Sequence, residues 1–379
     1  MKILSLSLDS LVLIKESVVA SRCVRYGSVV DSFTVIVPTK EQSTTVLSPQ
    51  VTVYGTGGTH KLVQLWNMYQ IARTFLRTEK NVVISSQDSY FLGLLALILA
   101  RRYQSGLEIQ VLGIEKLSIF RKMLSKFVLK KAGSIRVLSI GLQKRLIKEF
   151  GISQTRMIIV PIYVDVSSLG LSSVQSEEEQ KKINEANSSF NGTYKNRFNI
   201  VSVSRLVPIK NISMQLQAVA TLRREFPDML LHIVGDGPLK ESIQAEITTL
   251  KLREHVILEG FKSGADLSPF FTQSDCFVLT SDFEGYGMVI IEAATAGLPI
   301  VMTDVGCAGE VIINEKSGMI VPAKDTQAFT QALRKVLTDS ALRASLKEGA
   351  LHSIAELPSF DTVLEKYTAS WQQALQNRY

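Results

Sequence analysis

Two glutamates, Glu284 and Glu292, lie eight residues apart in Thr280-Ser281-Asp282-Phe283-Glu284-Gly285-Tyr286-Gly287-Met288-Val289-Ile290-Ile291-Glu292. Gly285 and Gly287 let the backbone fold tightly and then open a helix. The first-turn N–H groups of such a helix, from Gly285, Tyr286, Gly287, Met288 and Val289, can hold phosphate oxygens. Glu292 falls just over a turn into the helix, where a carboxylate can bind a vicinal diol. Glu284 stays in the loop, able to meet a second set of hydroxyls. Val289, Ile290 and Ile291 bury the helix. Upstream, Val203-Ser204-Arg205-Leu206-Val207-Pro208-Ile209-Lys210-Asn211 ends a strand and places Arg205 and Lys210 five residues apart before a helix. Two cations at such a turn suit a diphosphate, each meeting a different phosphate, although a pair of solvated surface charges has the same spelling. Between them, Val234-Gly235-Asp236-Gly237-Pro238 makes a tight turn with close backbone approach. As a phosphate motif it is weak, because a plain turn explains it as well.

Short β-branched runs alternate with segments of helical period along the whole chain. Seven candidate strands run from Ile3–Leu8 to Met157–Pro161, and six more from Ile200–Ser204 to Met319–Val321. Strands at this spacing with helices between imply βαβ units and parallel sheets. In doubly wound sheets ligands bind beyond the carboxyl ends of strands, which is where all three motifs fall. The two sets define an α/β protein with a first domain at 1–165 and a second at 198–345. A Ser-, Asn- and Glu-rich stretch at 166–197 reads as a linker with one short exposed helix, and 346–379 as a C-terminal helix able to pack back on the first domain.

From about Asn199 to Val321 the chain resembles the donor-binding domain of retaining glycosyltransferase family 4. Glu284 and Glu292 match that family's Glu-x7-Glu with its Gly-rich turn, and Arg205 with Lys210 match its cation pair. Gly235 and Gly237 match its Gly-x-Gly turn, and Glu259-Gly260-Phe261 a turn whose backbone lies near the nucleobase. The resemblance implies a GT-B architecture, two Rossmann-like doubly wound domains facing across a cleft. It also implies a retaining transfer of a hexose from a nucleoside diphosphate sugar to a saccharide or lipid-linked saccharide. Arg205 and Lys210 would neutralise the diphosphate, Glu292 would bind the donor ribose and Glu284 would contact the sugar. No Asp-x-Asp motif occurs, so no metal or other cofactor is expected, the cations taking over the metal's electrostatic work.

The first half departs from the family. No glycine follows the first strand in Asp9-Ser10-Leu11-Val12-Leu13, and Leu112 stands where a histidine is usual. Its one histidine, His60, follows the Gly-rich Tyr54-Gly55-Thr56-Gly57-Gly58-Thr59. With Gln87 and Asp88, in the polar loop after a strand, it is a candidate for the acceptor side; a surface histidine and a helix-capping aspartate are the plain alternatives. These departures keep two other readings open, a non-catalytic partner subunit of the same fold and a nucleotide-sugar 2-epimerase.

The 379 residues are 46% hydrophobic and 20% charged, the composition of a globular chain. The longest apolar stretch, Phe91 to Ala100, is short of the roughly 18–20 residues that a membrane-spanning helix needs. The start reads as a strand rather than a leader. Cys23, Cys276 and Cys307 show no pairing or metal spacing, which fits a reduced, cytoplasmic protein. Charge is uneven: residues 1–165 hold 22 Lys and Arg against 10 Asp and Glu, within an overall net charge of +7. The excess gathers around Lys116–Lys131, a basic amphipathic helix with apolar residues at 117, 120, 124, 127 and 128. An anionic membrane surface, on the inner face of the membrane, is the partner this suggests. Nucleic acid is not expected, since no motif for it accompanies the charge.

Overall fold

A computed structural model describes residues 1–113, 118–164 and 177–379. The chain divides into two compact units, Met1–Ile162 with Pro358–Tyr379, and Tyr163–Leu357.

Among the described residues, unit 1 is built on eight strands: β1 Lys2–Leu6, β2 Ser32–Val37, β3 Gln42–Ser48, β4 Val51–Thr56, β5 Val82–Ser86, β6 Gly106–Val111, β7 Ser134–Val137 and β8 Met157–Ile159. Their order is β3-β4-β2-β1-β5-β6-β7-β8, parallel throughout except for the β3–β4 pair. The apolar runs became inner strands because helices cover both faces and bury continuous stretches such as Val82–Ser86. The sequence reading had no strand at Gln42–Ser48. Its Ser and Thr residues alternate between half-buried and exposed at the sheet edge, so it carries no apolar signal.

Unit 2 holds β9 Phe198–Val203, β10 Met229–Val234, β11 Val256–Gly260, β12 Cys276–Leu279, β13 Ile300–Thr303 and β14 Met319–Val321. The order β11-β10-β9-β12-β13-β14 is parallel throughout. The chain winds outward one way from β9 and the other way from β12, so the crevice between their carboxyl ends is the switch point of a doubly wound sheet. Helix Thr326–Thr338 shows how sequence sets the packing. Phe329, Leu333 and Val336 repeat at helical spacing and are buried against the sheet. Asp325 caps the helix by accepting from the Ala328 N–H at 2.9 Å.

Two boundaries differ from those expected of the sequence, while the last helix joins unit 1 as expected. Residues 166–176 of the expected linker lie outside the described residues, but 177–194 of it form an 18-residue helix, Glu177–Tyr194, within unit 2. Its polar spelling hides an aromatic anchor: the Phe190 ring meets Phe270 at 5.4 Å and the Tyr194 ring meets His232 at 4.8 Å. The tail is two helices rather than one. Ser340–Ala355 stays in unit 2, while Phe360–Gln376 belongs to unit 1. The latter is fixed by buried Trp371, by Tyr367 stacked on Tyr26 at 4.5 Å, and by Ser370 and Trp371 hydrogen-bonded to Glu108 at 2.6 and 3.2 Å.

The basic helix runs Ile119–Lys131, capped by Ser118; Lys116 and Leu117 lie outside the described residues. Its buried side is Ser125, Val128 and Leu129, not Phe120 and Phe127, which are exposed. Close approach through small residues decides this. Ser125 meets Ser89 at 2.5 Å, and a Cβ at Gly93 would come within 3.1 Å of Val128. No described helix is long and apolar enough to cross a membrane.

Candidate functional site

The switch point of unit 2 is assembled by two loops hydrogen-bonded to each other. After β9 the chain makes the short turn Pro208–Lys210 and reverses at Asn211, whose φ of 48° is left-handed. Asparagine tolerates that conformation better than most residues. The Asn211 Nδ2 donates to Asp282 Oδ1 at 3.2 Å, and the Asp282 N–H donates to Ile209 O at 2.8 Å. Thr280 Oγ1 donates to Lys210 O at 3.0 Å. These bonds bring together residues some 70 positions apart in sequence.

The result is an ion pair. Lys210 Nζ lies 2.5 Å from Glu284 Oε1, with both side chains about one-seventh exposed. Ser281 Oγ donates to the same oxygen at 2.6 Å. Both contacts fall on Oε1. Arg205 is exposed at the end of β9 and adds a second cation on that edge.

Glycine is required at two points. A Cβ on Gly235 would sit 1.9 Å from Ser204 O, and its φ of +141° strains any other residue. The loops after β9 and β10 can therefore approach this closely only without a side chain here, and the Gly235 N–H also reaches Gly260 O at 2.8 Å. Gly287, with φ +89°, turns the chain into helix Met288–Thr295. Geometry leaves the first N–H groups of that helix, Met288 and Val289, without acceptors inside it, a favourable setting for an anion. Glu292 is half-buried one turn further on, and burial pushes its carboxyl pKa up. Gly237 lies in the turn after β10, where its N–H donates to Asp236 Oδ1 at 2.7 Å. That bond, together with Lys240, holds the Asp236 carboxyl below its usual range. Gly260 and the exposed Phe261 close the β11 end of the row.

The structure thus gathers Arg205, Lys210, Gly235, Gly237, Gly260, Phe261 and the 284–292 segment on one sheet edge. One candidate sits differently from the rest. The Tyr286 side chain is 3% exposed and belongs to the core, so only its backbone lies at the edge. Sequence reasoning missed two contributors. Ser281 carries no spacing signal of its own. The loop after β13 went unread, yet a Cβ at its Gly306 would lie 2.4 Å from Tyr286 O and 3.0 Å from the Glu284 Cβ. The Cys307 N–H also holds Tyr286 O at 2.9 Å. Gly306 and Gly309 just past a strand were the available signal.

The first-half candidates lie in unit 1. His60 is exposed and precedes helix Lys61–Thr78. Gln87 Oε1 accepts from Ser7 Oγ at 2.8 Å and from the Leu8 N–H at 3.2 Å, joining the loops after β1 and β5 at that unit's own switch point. Asp88 Oδ1 accepts from the N–H groups of Tyr90, Leu92 and Gly93 at 2.8, 3.1 and 3.3 Å. It caps helix Phe91–Tyr103, and burial raises its carboxyl pKa. Leu112 is 48% exposed just past β6.

A doubly wound domain whose switch point gathers cations and the N-terminus of a glycine-opened helix is the class this geometry defines. Residues 183–352 match the model of the family "Glycosyl transferases group 1". Over 160 residues the chain is 33% identical to the GDP-mannose-dependent alpha-(1-6)-phosphatidylinositol monomannoside mannosyltransferase of Mycolicibacterium smegmatis, covering 40% of this chain and 42% of the relative. Over 236 residues it is 30% identical to the N-acetylgalactosamine-N,N'-diacetylbacillosaminyl-diphospho-undecaprenol 4-alpha-N-acetylgalactosaminyltransferase of Campylobacter jejuni, covering 62% and 58%. The chain spans about half the length of these curated relatives. Among solved structures, Anabaena HepE in complex with UDP superposes with a TM-score of 0.73 at 18% identity, covering 98% of this chain and 100% of that one. WaaG, a glycosyltransferase involved in lipopolysaccharide biosynthesis, gives 0.64 at 16%, covering 98% and 99%. These likenesses establish the fold as GT-B, with two Rossmann-like units.

Proposed function

We propose that the chain is a glycosyltransferase that takes a hexose from a nucleoside diphosphate sugar bound at the unit 2 edge. The observation that carries this is the Lys210–Glu284 pair at the switch point, beside the glycine-opened helix Met288–Thr295. Lys210, Arg205 and the helix N-terminus neutralise the diphosphate as the bond from the anomeric carbon to phosphate breaks and charge builds on the leaving oxygen. Glu292 accepts from the ribose diol. Glu284 positions the donor rather than attacking it, because Lys210 and Ser281 occupy one of its oxygens and hold the carboxylate still. Transfer retains configuration and uses protein cations where other enzymes use a metal. The acceptor is a saccharide or a lipid-linked saccharide. The relatives that motivate this carry phosphatidylinositol monomannoside and diphospho-undecaprenol in their names.

Calorimetric titration of the full chain with UDP-, GDP- and ADP-sugars tests the reading. One of them binds, and Glu292→Ala weakens it about tenfold by removing a charge-assisted hydrogen bond. Unchanged affinity in both Glu292→Ala and Lys210→Ala, or no binding by any member of the panel, would remove the proposal.

A further inference from the structure

Donor chemistry at the carboxyl edge of the unit 2 sheet gives no role to a basic hollow at the opposite, amino edge. The hollow has a volume of about 740 Å³, and its cations are Arg223, Arg224, Lys251 and Arg253. Arg223 and Arg224 follow helix Ile212–Leu222, Lys251 follows helix Lys240–Thr249, and Arg253 leads into β11. The length of β10, six residues or about 20 Å, separates this edge from the donor edge.

Part of the charge is structural. Each helix C-terminus carries about half a negative charge, which a nearby cation offsets. Arg223 does this directly, its Nη1 donating to Leu250 O and to Lys251 O, both at 2.6 Å. The rest exceeds that need. Four cations less the Glu254 carboxylate that shares the hollow leave three positive charges. The two helix ends lower this to about two. Among the described residues none of the four cations is ion-paired, and Arg224, Lys251 and Arg253 are exposed. Lys251 also holds a left-handed φ of 57°. That conformation strains a residue with a side chain and at helix ends usually falls to glycine. Strain of this kind gathers at ligand clamps and other functional sites. Here it keeps an ammonium at the hollow, where glycine would supply none.

We propose that this hollow binds a small polyhydroxylated molecule carrying a phosphomonoester, the chemistry of a sugar phosphate. A phosphomonoester carries about two negative charges at neutral pH, which matches the surplus. Guanidinium forks grip phosphate oxygens in pairs. The volume far exceeds that of one phosphate and falls within the range of small-molecule sites. No apolar side chain lines the hollow, so a nucleobase or a lipid chain would find nothing to pack on. Hydroxyls would find Glu254 and His255, whose Nδ1 donates to Met229 O at 3.0 Å and leaves Nε2 over. The inference goes beyond sugar transfer and is independent of it, because this site needs no nucleotide.

Calorimetric titration of the full chain with glucose 6-phosphate, glucose and inorganic phosphate at low salt tests it. Glucose 6-phosphate is expected to bind at one site per chain, inorganic phosphate at least tenfold more weakly, and glucose not at all. Arg224→Gln with Arg253→Gln lowers the affinity about 100-fold, tenfold for each charge-assisted hydrogen bond lost. Melting temperature and donor affinity stay at wild-type values in this variant. Lys251→Gly melts no lower than wild type, because glycine relieves the strain, yet binds about tenfold more weakly; a purely structural lysine would not divide the two readouts. Four results would overturn the proposal: no binding of glucose 6-phosphate, wild-type affinity in the Arg224/Arg253 variant, equal affinity for inorganic phosphate, or loss of sugar-phosphate binding in Glu292→Ala, which would move the ligand to the donor edge. Failure to bind any nucleotide sugar by a chain that still takes glucose 6-phosphate would count against the transferase reading and leave this one standing.

Discussion

Replacing Lys210 by alanine separates a structural ion pair from a ligand-binding one. Lys210 and Glu284 are 14% and 13% exposed and 2.5 Å apart. Without Lys210, Glu284 keeps only the Ser281 hydroxyl as a donor among its described partners. Breaking a fully buried pair costs about 3–5 kcal/mol. The residual exposure here lowers that to about 2–3 kcal/mol, or roughly a 5–10 °C fall in melting temperature for a unit of this size. Adding Glu284→Gln removes the stranded charge, so the Lys210→Ala/Glu284→Gln protein regains at least half of the lost stability. Donor affinity does not recover in parallel, because the phosphate-facing cation is still missing. Both proteins bind the nucleotide sugar about 10–100-fold more weakly than wild type. Glu284→Gln alone keeps the cation and binds nearly normally but turns over slowly. Differential scanning fluorimetry and calorimetry on the four proteins of this cycle supply the test. If single and double variants melt together and both bind like wild type, Lys210 is an ordinary surface cation and the site argument fails.

Two further outcomes follow from the same geometry. Burial raises the folded-state pKa of Glu292 above its unfolded value. The stability this group contributes is therefore fully present below the ordinary glutamate range and is lost as pH rises through the raised value. Glu292→Gln should then melt higher than wild type at neutral pH, with a margin that shrinks on acidification into the ordinary glutamate range; a pH-independent margin in thermal melts would contradict it. In unit 1, fully buried Glu108 accepts from Ser85, Ser370 and Trp371 and faces Arg136, whose guanidinium lies 3.8 Å from the Tyr367 ring centre. Glu108→Gln strands that guanidinium and should cost about 3 kcal/mol in urea unfolding. It should also free helix Phe360–Gln376 to proteolysis near Leu357; equal stability and equal resistance would refute the clasp.

Much of this protein was written locally. Apolar runs of strand length, separated by helical periods, are local patterns, and they yielded two doubly wound units because a buried parallel strand needs apolar side chains on both faces. The turn at Gly235 and the opening at Gly287 were legible for the same reason: a positive φ is a one-residue property that glycine announces. Tertiary structure alone decided what depends on distant partners. The sequence named Lys210 and Glu284 separately, and only the crossing of the β9 and β12 loops made them a pair. Helix Glu177–Tyr194 looked like linker because two aromatic rings suffice to anchor it once Phe270 and His232 are in place. The tail split between units because Glu108, more than 260 residues upstream, supplies the acceptor for Ser370 and Trp371. Helix Ile119–Lys131 is the sharpest case. Its pattern suggested an apolar stripe through 120, 124, 127 and 128, but the small residues Gly93 and Ser125 set which side could approach the core, leaving Phe120 and Phe127 outside. Periodicity reports that a helix has an apolar stripe; which stripe faces inward is set by the shape of the neighbour it must fit.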